Sequence, residues 1–349
     1  MAGKHRRRVD WPACAEKIAA IVPRDRLHPA ALAWAASRPA RGPWAVAFSG
    51  GADSLALLLL LWAHGPERRD RLRALHFNHK LRGAAADADE NFCREVCVAL
   101  GVKFRAGAWR RPRRGASEAE ARAARMSFFE KELRAARGRV LWLGQQMDDI
   151  AETLLMRLAR GSGAGGLGAP RPVQAMPDGR VHLRPLLTLG KREITAALRA
   201  AGAPWREDAS NAGDDFFRNR IRRKVLPAWR AAAAPERDAL AGAALTRELL
   251  AEDDAALEAW LGELQPWEKG GALDLRKLAG KPRAVARRAL HRWLLAQRGA
   301  GELSRQGFEA LLAAVERGKN TRQSLGAHGF AVIRRGRLAF AKSGKTGSA

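Results

Sequence analysis

The chain has 349 residues, of which 47% are hydrophobic and 28% charged, so its length suits two domains and its composition excludes a wholly disordered or fibrous protein. Lys and Arg number 63 against 36 Asp and Glu, and the resulting net charge of +27 predicts attraction to polyanions such as nucleic acid. The 3 cysteines are too few for a disulfide framework, and the longest apolar stretch, residues 55–63, is too short to span a bilayer. These features predict a soluble, cytoplasmic protein.

The first half of the chain predicts an α/β fold. Residues 1–42 contain short helical patterns and several prolines, which indicate an N-terminal extension. From Trp44 onwards, short apolar runs alternate with amphipathic segments, which is the pattern of a parallel sheet covered by helices on both faces. The predicted strands are residues 44–48, 72–77, 102–106 and 140–144, and the predicted helices are residues 53–64, 86–100, 117–136 and 148–159. Ligands of such sheets bind at the carboxyl ends of the strands, so we expect the functional site in the loops that follow them.

The middle of the chain predicts a loop and two further helices. Residues 160–181 are rich in Gly and Pro and predict a flexible loop. Helices are predicted at residues 191–201 and 216–225. Pro227 and the alanine-rich residues 231–234 then indicate a domain boundary.

Beyond this boundary the apolar residues recur at helical spacing, and a short strand pair is predicted at residues 331–334 and 337–340. The patterns therefore predict three segments. They are an extension of residues 1–42, a parallel-sheet α/β domain of residues 43–228, and a smaller, mostly helical domain of residues 229–349 that ends in the strand pair.

The sharpest motif lies between a predicted strand and a predicted helix. It reads Ser49-Gly50-Gly51-Ala52-Asp53-Ser54. The glycines allow the backbone to approach a ligand closely, and the successive N–H groups at the helix start form a cradle for an anion. No Gly-Lys-Ser/Thr follows, so this is not a Walker A loop and suits a pyrophosphate that leaves while the α-phosphate reacts. The alternative is a glycine turn in which Asp53 only caps the helix, but the strand–loop–helix context favours phosphate binding.

Two groups of charged residues stand out. Asp148, Asp149 and Glu152 begin the helix after the fourth predicted strand, where acidic residues also stabilise the helix dipole. Basic residues cluster at 110–114, 218–224, 283–292 and 334–337, and such runs are often solvated surface. Within the third cluster, the arginines at 283, 287, 288 and 292 share one face of a predicted helix, which suits binding along an RNA backbone.

The glycine motif resembles the pyrophosphatase loop of the N-type ATP pyrophosphatases, also called the PP-loop family. Further segments occur in one order along the chain, at residues 79–83, 117–122, 148–163, 184–187, 205–211 and 218–222. As a set, over about residues 44–227, they resemble the tRNA(Ile)-lysidine synthetases. This family usually has His just before the acidic pair and Gln just after it, whereas this chain has Gln145-Gln146-Met147 and Ile150.

The resemblance implies an adenine-nucleotide alpha-hydrolase-like, Rossmann-like catalytic domain and an ATP-dependent ligase. In this reaction ATP adenylates the C2 oxygen of the wobble cytidine of tRNA(Ile) with a CAU anticodon, and pyrophosphate is released. The ε-amine of L-lysine then displaces AMP, and the lysidine formed changes the codon and amino-acid identity of the tRNA from Met to Ile. Mg²⁺ is the implied cofactor.

The resemblance also implies roles for particular residues. The ATP-binding residues are Ser49, Gly50, Gly51, Ala52, Asp53 and Ser54, and the catalytic residues are Asp53 and Asp149. Asp53 is the implied Mg²⁺ ligand, and the implied lysine-binding residues are Asp148, Asp149 and Glu152. The tRNA-binding candidates are Arg218, Asn219, Arg222, Arg287 and Arg288.

Two other functions remain open. A tRNA thiolase of the same fold family is the enzymatic alternative, although such enzymes often use C-x-x-C pairs or a metal cluster, and Cys93 and Cys97 lack that spacing. A non-enzymatic RNA-binding protein with a decayed nucleotide fold is the second alternative. Residues 161–166 match G-x-G-x-x-G but follow a helix rather than a strand, so a dinucleotide site is rejected there.

Overall fold

The computed structural model describes residues 9–37, 42–80, 83–109, 117–207, 216–233, 236–297, 303–326 and 329–342. The chain divides into two compact units, Met1–Ala251 and Glu252–Ala349. This division lies beyond the boundary predicted near residue 228. Among the described residues, no helix combines the length and the apolar character that crossing a bilayer requires.

A six-stranded sheet forms the centre of the first unit. Its strands are β1 (Trp44–Ala47), β2 (Leu72–Asn78), β3 (Lys103–Ala108), β4 (Val140–Trp142), β5 (Val173–Ala175) and β6 (Val181–Leu183). The order across the sheet is β3-β2-β1-β4-β6-β5. All neighbouring pairs are parallel except β5 and β6, which are antiparallel. The predicted α/β fold with a parallel sheet is therefore confirmed.

Helices cover both faces of this sheet. They are α1 (Trp11–Ile21), α2 (Pro29–Ser37), α3 (Ala52–His64), α4 (Ala84–Ala99), α5 (Glu118–Ala135), α6 (Met147–Leu158), α7 (Ala164–Leu167) and α8 (Lys191–Ala200). Residues 55–60 of α3 are buried on every side, because α3 packs against β1 as well as against α1 and α8. A helix that is apolar all round needs such complete cover.

The described part of the predicted N-terminal extension belongs to the core of the first unit. Trp11, Cys14 and Ile18 of α1 are buried in the same apolar cluster as α3. Local sequence patterns show that α1 is amphipathic, but they do not show that its apolar face covers a helix 40 residues further along the chain.

The predicted loop over residues 160–181 is wrong in part, since it contains α7 and β5 and ends at the first residue of β6. β5 and β6 have only three residues each, which is too short for an alternating pattern to be recognised among glycines and prolines.

The predicted helix over residues 216–225 is longer than expected. α9 (Phe217–Arg220), a π-helical turn (Ile221–Val225) and α10 (Leu226–Ala232) follow one another without a break. Pro227 lies directly after the π-helical turn, within this continuous helical segment, and does not end it. The next helix, α11 (Ala239–Leu264), contains the division between the two units.

The second unit combines helices with an antiparallel sheet. After α11 come β7 (Leu273–Asp274), α12 (Arg283–Ala296), α13 (Arg305–Arg317), β8 (Thr321–Ser324), β9 (Gly329–Arg334) and β10 (Arg337–Lys342). The sheet order is β7-β10-β9-β8. The predicted strand pair is confirmed by β9 and β10, and β7 and β8 extend it. Trp293, Leu311 and Ile333 lie in the core of this unit.

Candidate active site

The glycine motif forms a compact turn between β1 and α3. The Oγ atoms of Ser49 and Ser54 are 3.0 Å apart, and the Ser54 hydroxyl donates to the Gly51 carbonyl at 3.0 Å. Gly50 has a φ of +87°, and a Cβ atom there would be 3.1 Å from the Sγ of Cys93. The turn therefore requires glycine at this position.

Asp53 lies in the first turn of α3, where its carboxylate meets a lysine that the sequence did not single out. The Nζ of Lys191 donates to the Oδ1 of Asp53 at 2.8 Å. The backbone N–H of Lys191 donates to the Oδ2 of Asp148 at 2.9 Å. Burial raises the pKa of Asp53, an effect that Lys191 opposes and that the Asp148 carboxylate reinforces. Lys191, the first residue of α8, thus contacts both Asp53 of the glycine loop and Asp148 of the acidic pair.

The start of α6 carries the predicted acidic residues. The Oε1 of Gln146 accepts from the N–H of Asp148 at 2.6 Å, and the Oδ2 of Asp149 accepts from the N–H of Gln146 at 3.0 Å. Gln146 and Asp149 therefore form a capping box at the start of α6. The other oxygen of Asp149, Oδ1, accepts from the Nη2 of Arg218 at 2.7 Å.

Glu152 is the most deeply buried of these acids, with its side chain 1% exposed. Its Oε2 accepts from the Nε of Arg218 at 2.7 Å and from the Nη2 of Arg222 at 3.0 Å. Its Oε1 accepts from the Nε of Arg222 at 2.5 Å. Two residues predicted to bind tRNA thus pair with two residues predicted to bind lysine. We call Asp149, Glu152, Arg218 and Arg222 the acid–arginine cluster.

An apolar contact holds the two sides of the acid–arginine cluster together. Ile221 is buried in a cluster that also contains Ala151 and Leu154 of α6. Arg218 and Arg222 lie in the same helical segment as Ile221 and are four residues apart, so they lie on the same side of that segment. Packing of Ile221 against α6 therefore brings both guanidinium groups to Glu152.

The buried position of Asp149 next to other carboxylates raises its pKa. Burial is the largest cause, the carboxylates of Glu152 and Asp53 add to it, and the resulting pKa is about 6 although Arg218 opposes the shift. Asp149 can therefore exchange a proton near neutral pH, which suits a group that holds an ammonium ion and accepts its proton.

Gln145, which departs from the family pattern, has a structural partner in Arg184. The buried Arg184 donates to the Oε1 of Gln145, and it donates to the Arg171 carbonyl and to the Oε1 of Gln174 at 2.9 Å each. Burial and the nearby Arg122 lower the pKa of Arg184 to about 10. The other departure, Ile150, is fully buried in α6.

The arginines predicted to form one face of α12 form ion pairs with two separate sets of acidic residues. Arg283 pairs with Glu309 at 2.7 Å, and Arg287 reaches the same carboxylate at 3.9 Å. Arg288 pairs with Glu258 at 2.8 Å and also with Asp254. The prediction that the four arginines share one face is therefore wrong, because nine residues correspond to about two and a half helical turns and place the first and last of them on opposite sides of α12. Acids from α11 and α13 compensate much of their charge.

The structure places the other predicted residues as follows. Asn219 is buried in α9. His79 lies between the rings of Phe77 and Trp109. Leu81, Arg82, residues 110–114, Asp208 and Asn211 lie outside the described residues.

A magnesium ion at this site would need ligands from the substrate in addition to the side chains of the protein. Among the described residues, no three His, Cys, Asp or Glu side chains converge as a ready-made metal site. Mg²⁺ commonly takes only one or two carboxylates and completes its shell with water and phosphate oxygens. Asp53, a carboxylate in the first turn of α3 directly after the glycines of the loop, fits that donor set.

Comparison with known proteins agrees with this geometry. Residues 30–229 match the model of the PP-loop domain, a family named for ATP binding. The chain is 41% identical to tRNA(Ile)-lysidine synthase of Geobacter sulfurreducens over 76% of its own length and 56% of that protein. It is 44% identical to the protein of that name from Solibacter usitatus over 52% of its length and 40% of that protein. It is 36% identical to the Xanthomonas campestris protein of that name over 84% of its length and 67% of that protein.

The chain thus spans about half the length of the first two of these relatives. The family match covers the sheet, the glycine loop and the acid–arginine cluster. The chain therefore belongs to the PP-loop family, together with curated proteins named tRNA(Ile)-lysidine synthase.

Proposed function

We propose that this chain ligates lysine to C2 of the wobble cytidine of tRNA(Ile) with a CAU anticodon, using ATP. The observation that carries the proposal is the acid–arginine cluster beside a pyrophosphate loop. Arg222 and Asp148 both act electrostatically on Asp53, so the loop and the cluster share one edge of the sheet. One site can then hold ATP, the base and the lysine ammonium.

In the first step the cytidine C2 oxygen attacks the α-phosphorus, an O–P bond forms, and pyrophosphate leaves. The N–H groups and hydroxyls of the loop would hold the leaving pyrophosphate, because a helix start with exposed N–H groups stabilises negative charge. Asp53 would hold Mg²⁺, which when bound supplies charge neutralisation on the phosphate oxygens. Lys191 adds a fixed positive charge next to Asp53.

In the second step the lysine ε-amine attacks C2, a C–N bond forms, and the C–O bond to AMP breaks. The incoming ammonium must first be held and lose a proton. Asp149, with its raised pKa of about 6, is suited to both tasks. Arg222 is 40% exposed, so it can turn towards an RNA phosphate and leave an oxygen of Glu152 to the ammonium.

The cysteines argue against the tRNA thiolase alternative. Cys14, Cys93 and Cys97 are all free and buried. Burial raises the pKa of Cys97 to about 12 and also raises that of Cys93. A thiol becomes a sulfur nucleophile as its thiolate, which these surroundings disfavour at neutral pH.

The direct test of the reaction is incorporation of radiolabelled lysine into tRNA transcripts. A tRNA(Ile) transcript with a CAU anticodon should be labelled in the presence of ATP, and one in which only the wobble C is replaced by U should not. ATP–pyrophosphate exchange should require the CAU transcript. Exchange without lysine incorporation would identify a different tRNA modification.

The Asp149→Asn variant is expected to need much more lysine than the wild type. Loss of a charge-assisted hydrogen bond to the ammonium costs about 1.5–3 kcal/mol, so the KM for lysine should rise about 10–150-fold while that for ATP changes little. Because protonation neutralises Asp149, the wild-type KM for lysine should also rise as the pH falls below about 6.

The pH dependence should be lost in Asp149→Asn, and the exposed Asp70→Asn should behave as the wild type. A change confined to the ATP or Mg²⁺ dependence would instead assign Asp149 to the metal and contradict its lysine role.

Within the proposed tRNA-binding domain of residues 229–349, Arg287 is the better arginine to test. Removal of Arg288 would leave the buried Asp254 without its ion pair, whereas Arg287 is 49% exposed and only loosely paired. In Arg287→Ala the slope of log affinity for tRNA against log salt should fall by somewhat under one unit. Filter binding at several salt concentrations measures this slope, with Arg317→Ala as the control. An unchanged slope would place the RNA away from α12.

A further inference from the structure

A basic cavity lies at the edge of the first unit's sheet opposite the candidate active site. It has a volume of about 350 Å³ and is lined by Arg134, Arg137, Gly138, Arg139, Asp178 and Arg180. Arg139 directly precedes β4 and Arg180 directly precedes β6. Because β1, β4 and β6 are parallel, these residues lie at the amino ends of the strands, and the glycine loop lies at the carboxyl ends.

Arg180 lines this cavity and also has one donor atom without a hydrogen-bond partner. Its side chain is 8% exposed. Its Nη2 pairs with the Oε1 of Glu130 at 2.9 Å and its Nε pairs with Asp178, but its Nη1 is buried without a hydrogen-bond partner. Buried guanidinium donors are normally satisfied, so the positive charge of Arg180 is only partly compensated by its hydrogen bonds.

The other cavity arginines leave the positive charge uncompensated. Arg134, Arg137 and Arg139 are exposed and form no ion pair with any residue that the structure describes. The cavity thus combines four arginines with the two carboxylates of Asp178 and Glu130. The residual positive charge is opposite in sign and similar in size to the charge of a phosphate group.

The backbone holds two of these arginines in place. Arg137 has a φ of +53°, and the N–H of Gly138 donates to the Leu133 carbonyl at 2.8 Å, which closes the end of α5. Cations at the end of a helix also stabilise its dipole, and this accounts for Arg134 and Arg137. It does not account for Arg180, which comes from another element and carries the unpaired donor.

This cavity is separate from the site that holds the reacting phosphates. Arg122, which acts electrostatically on Arg184 at the carboxyl ends of the strands, lies on the same helix as Arg134. The twelve residues between them correspond to about 18 Å at the rise of an α-helix. A single triphosphate does not span both places.

We propose that this cavity binds a phosphate group, held by Arg134, Arg137 and Arg139 and stabilised by the positive charge of the buried Arg180 guanidinium. Arginine offers paired donors that match phosphate oxygens. The phosphate can come from an RNA backbone or from a free phosphorylated molecule, and both present the same oxygens. The site does not depend on the reaction proposed above.

The test compares the double variant Arg134→Ala/Arg137→Ala with Lys103→Ala/Lys131→Ala. Both remove two exposed positive charges from the first unit, but only the first pair lines the cavity. Binding of a tRNA transcript is measured against salt, and binding of radiolabelled orthophosphate is measured by dialysis with ATP saturating. Thermal unfolding checks that both variants remain folded.

If an RNA phosphate occupies the cavity, the arginine variant should bind tRNA at least about tenfold more weakly, with a salt slope lower by somewhat under one unit, because one phosphate is no longer neutralised. If a free phosphate occupies it, only orthophosphate binding should fall. Equal behaviour of the two variants in both measurements would overturn the proposal. Each readout is a binding constant, so failure of lysine transfer alone would not affect the result.

Discussion

The Asp53→Asn variant is expected to form AMP about 10²–10³-fold more slowly than the wild type, with its affinity for tRNA unchanged. Loss of one electrostatic contact to charge that develops in a transition state has an effect of this size. Asparagine keeps the shape of Asp53 and can still accept from Lys191, so the fold of the loop should survive. AMP release from radiolabelled ATP in the presence of tRNA and lysine measures the rate.

The matched control for this variant is Asp25→Asn, which neutralises an exposed acid of the same unit. It should release AMP at the wild-type rate. Near-wild-type AMP formation by Asp53→Asn would show that residues 49–54 are not the phosphate loop of the reaction.

The Arg218→Met variant is expected to lower the free energy of unfolding by about 3–5 kcal/mol. Arg218 is the shared partner of Asp149 and Glu152, and both carboxylates are largely buried. Methionine retains most of the side chain's apolar volume, so the loss comes from Asp149 without its close cation and from Glu152 with Arg222 as its remaining partner. Urea unfolding at pH 8 measures it, and Arg160→Met, which changes an exposed arginine, should shift the result by less than about 0.5 kcal/mol.

The pH dependence of the stability loss in Arg218→Met distinguishes unpaired charge from altered packing as its cause. The pKa of Asp149 is raised above that of an unfolded chain, so as the pH falls from 8 to 5 the folded state gains a proton that the unfolded state does not bind. The loss in Arg218→Met should therefore be smaller at pH 5 than at pH 8. Adding Glu152→Gln should recover part of the stability. A loss that is independent of pH and of Glu152 would point to packing instead of charge.

Local patterns determined the framework of the first unit. β1, β2 and β4, with the helices that follow them, lie within a few residues of their predicted bounds, because each carries its own periodicity of apolar residues. The glycine loop was predictable for the same reason, since its glycines, Asp53 and the flanking strand and helix are neighbours in sequence. The acids at the start of α6 follow a strand in the same way.

Contacts between distant residues were decided only by the tertiary structure. Lys191 reaches Asp53 across 138 positions, and Arg218 reaches Glu152 across 66. No local pattern specifies such partners, because they meet only when α8 and α9 pack beside α3 and α6. Glu258 and Glu309 likewise compensate arginines of α12 from other helices.

The sequence by itself determined the main strands and helices of the first unit, the glycine loop and the family resemblance, since these depend on residues that are close along the chain. The tertiary structure decided which charges are paired. It joined the predicted lysine-binding acids to Arg218 and Arg222, and it left the Nη1 of Arg180 without a partner at the opposite edge of the sheet. The interaction between two charges depends on their separation and burial, and both are properties of the packed chain.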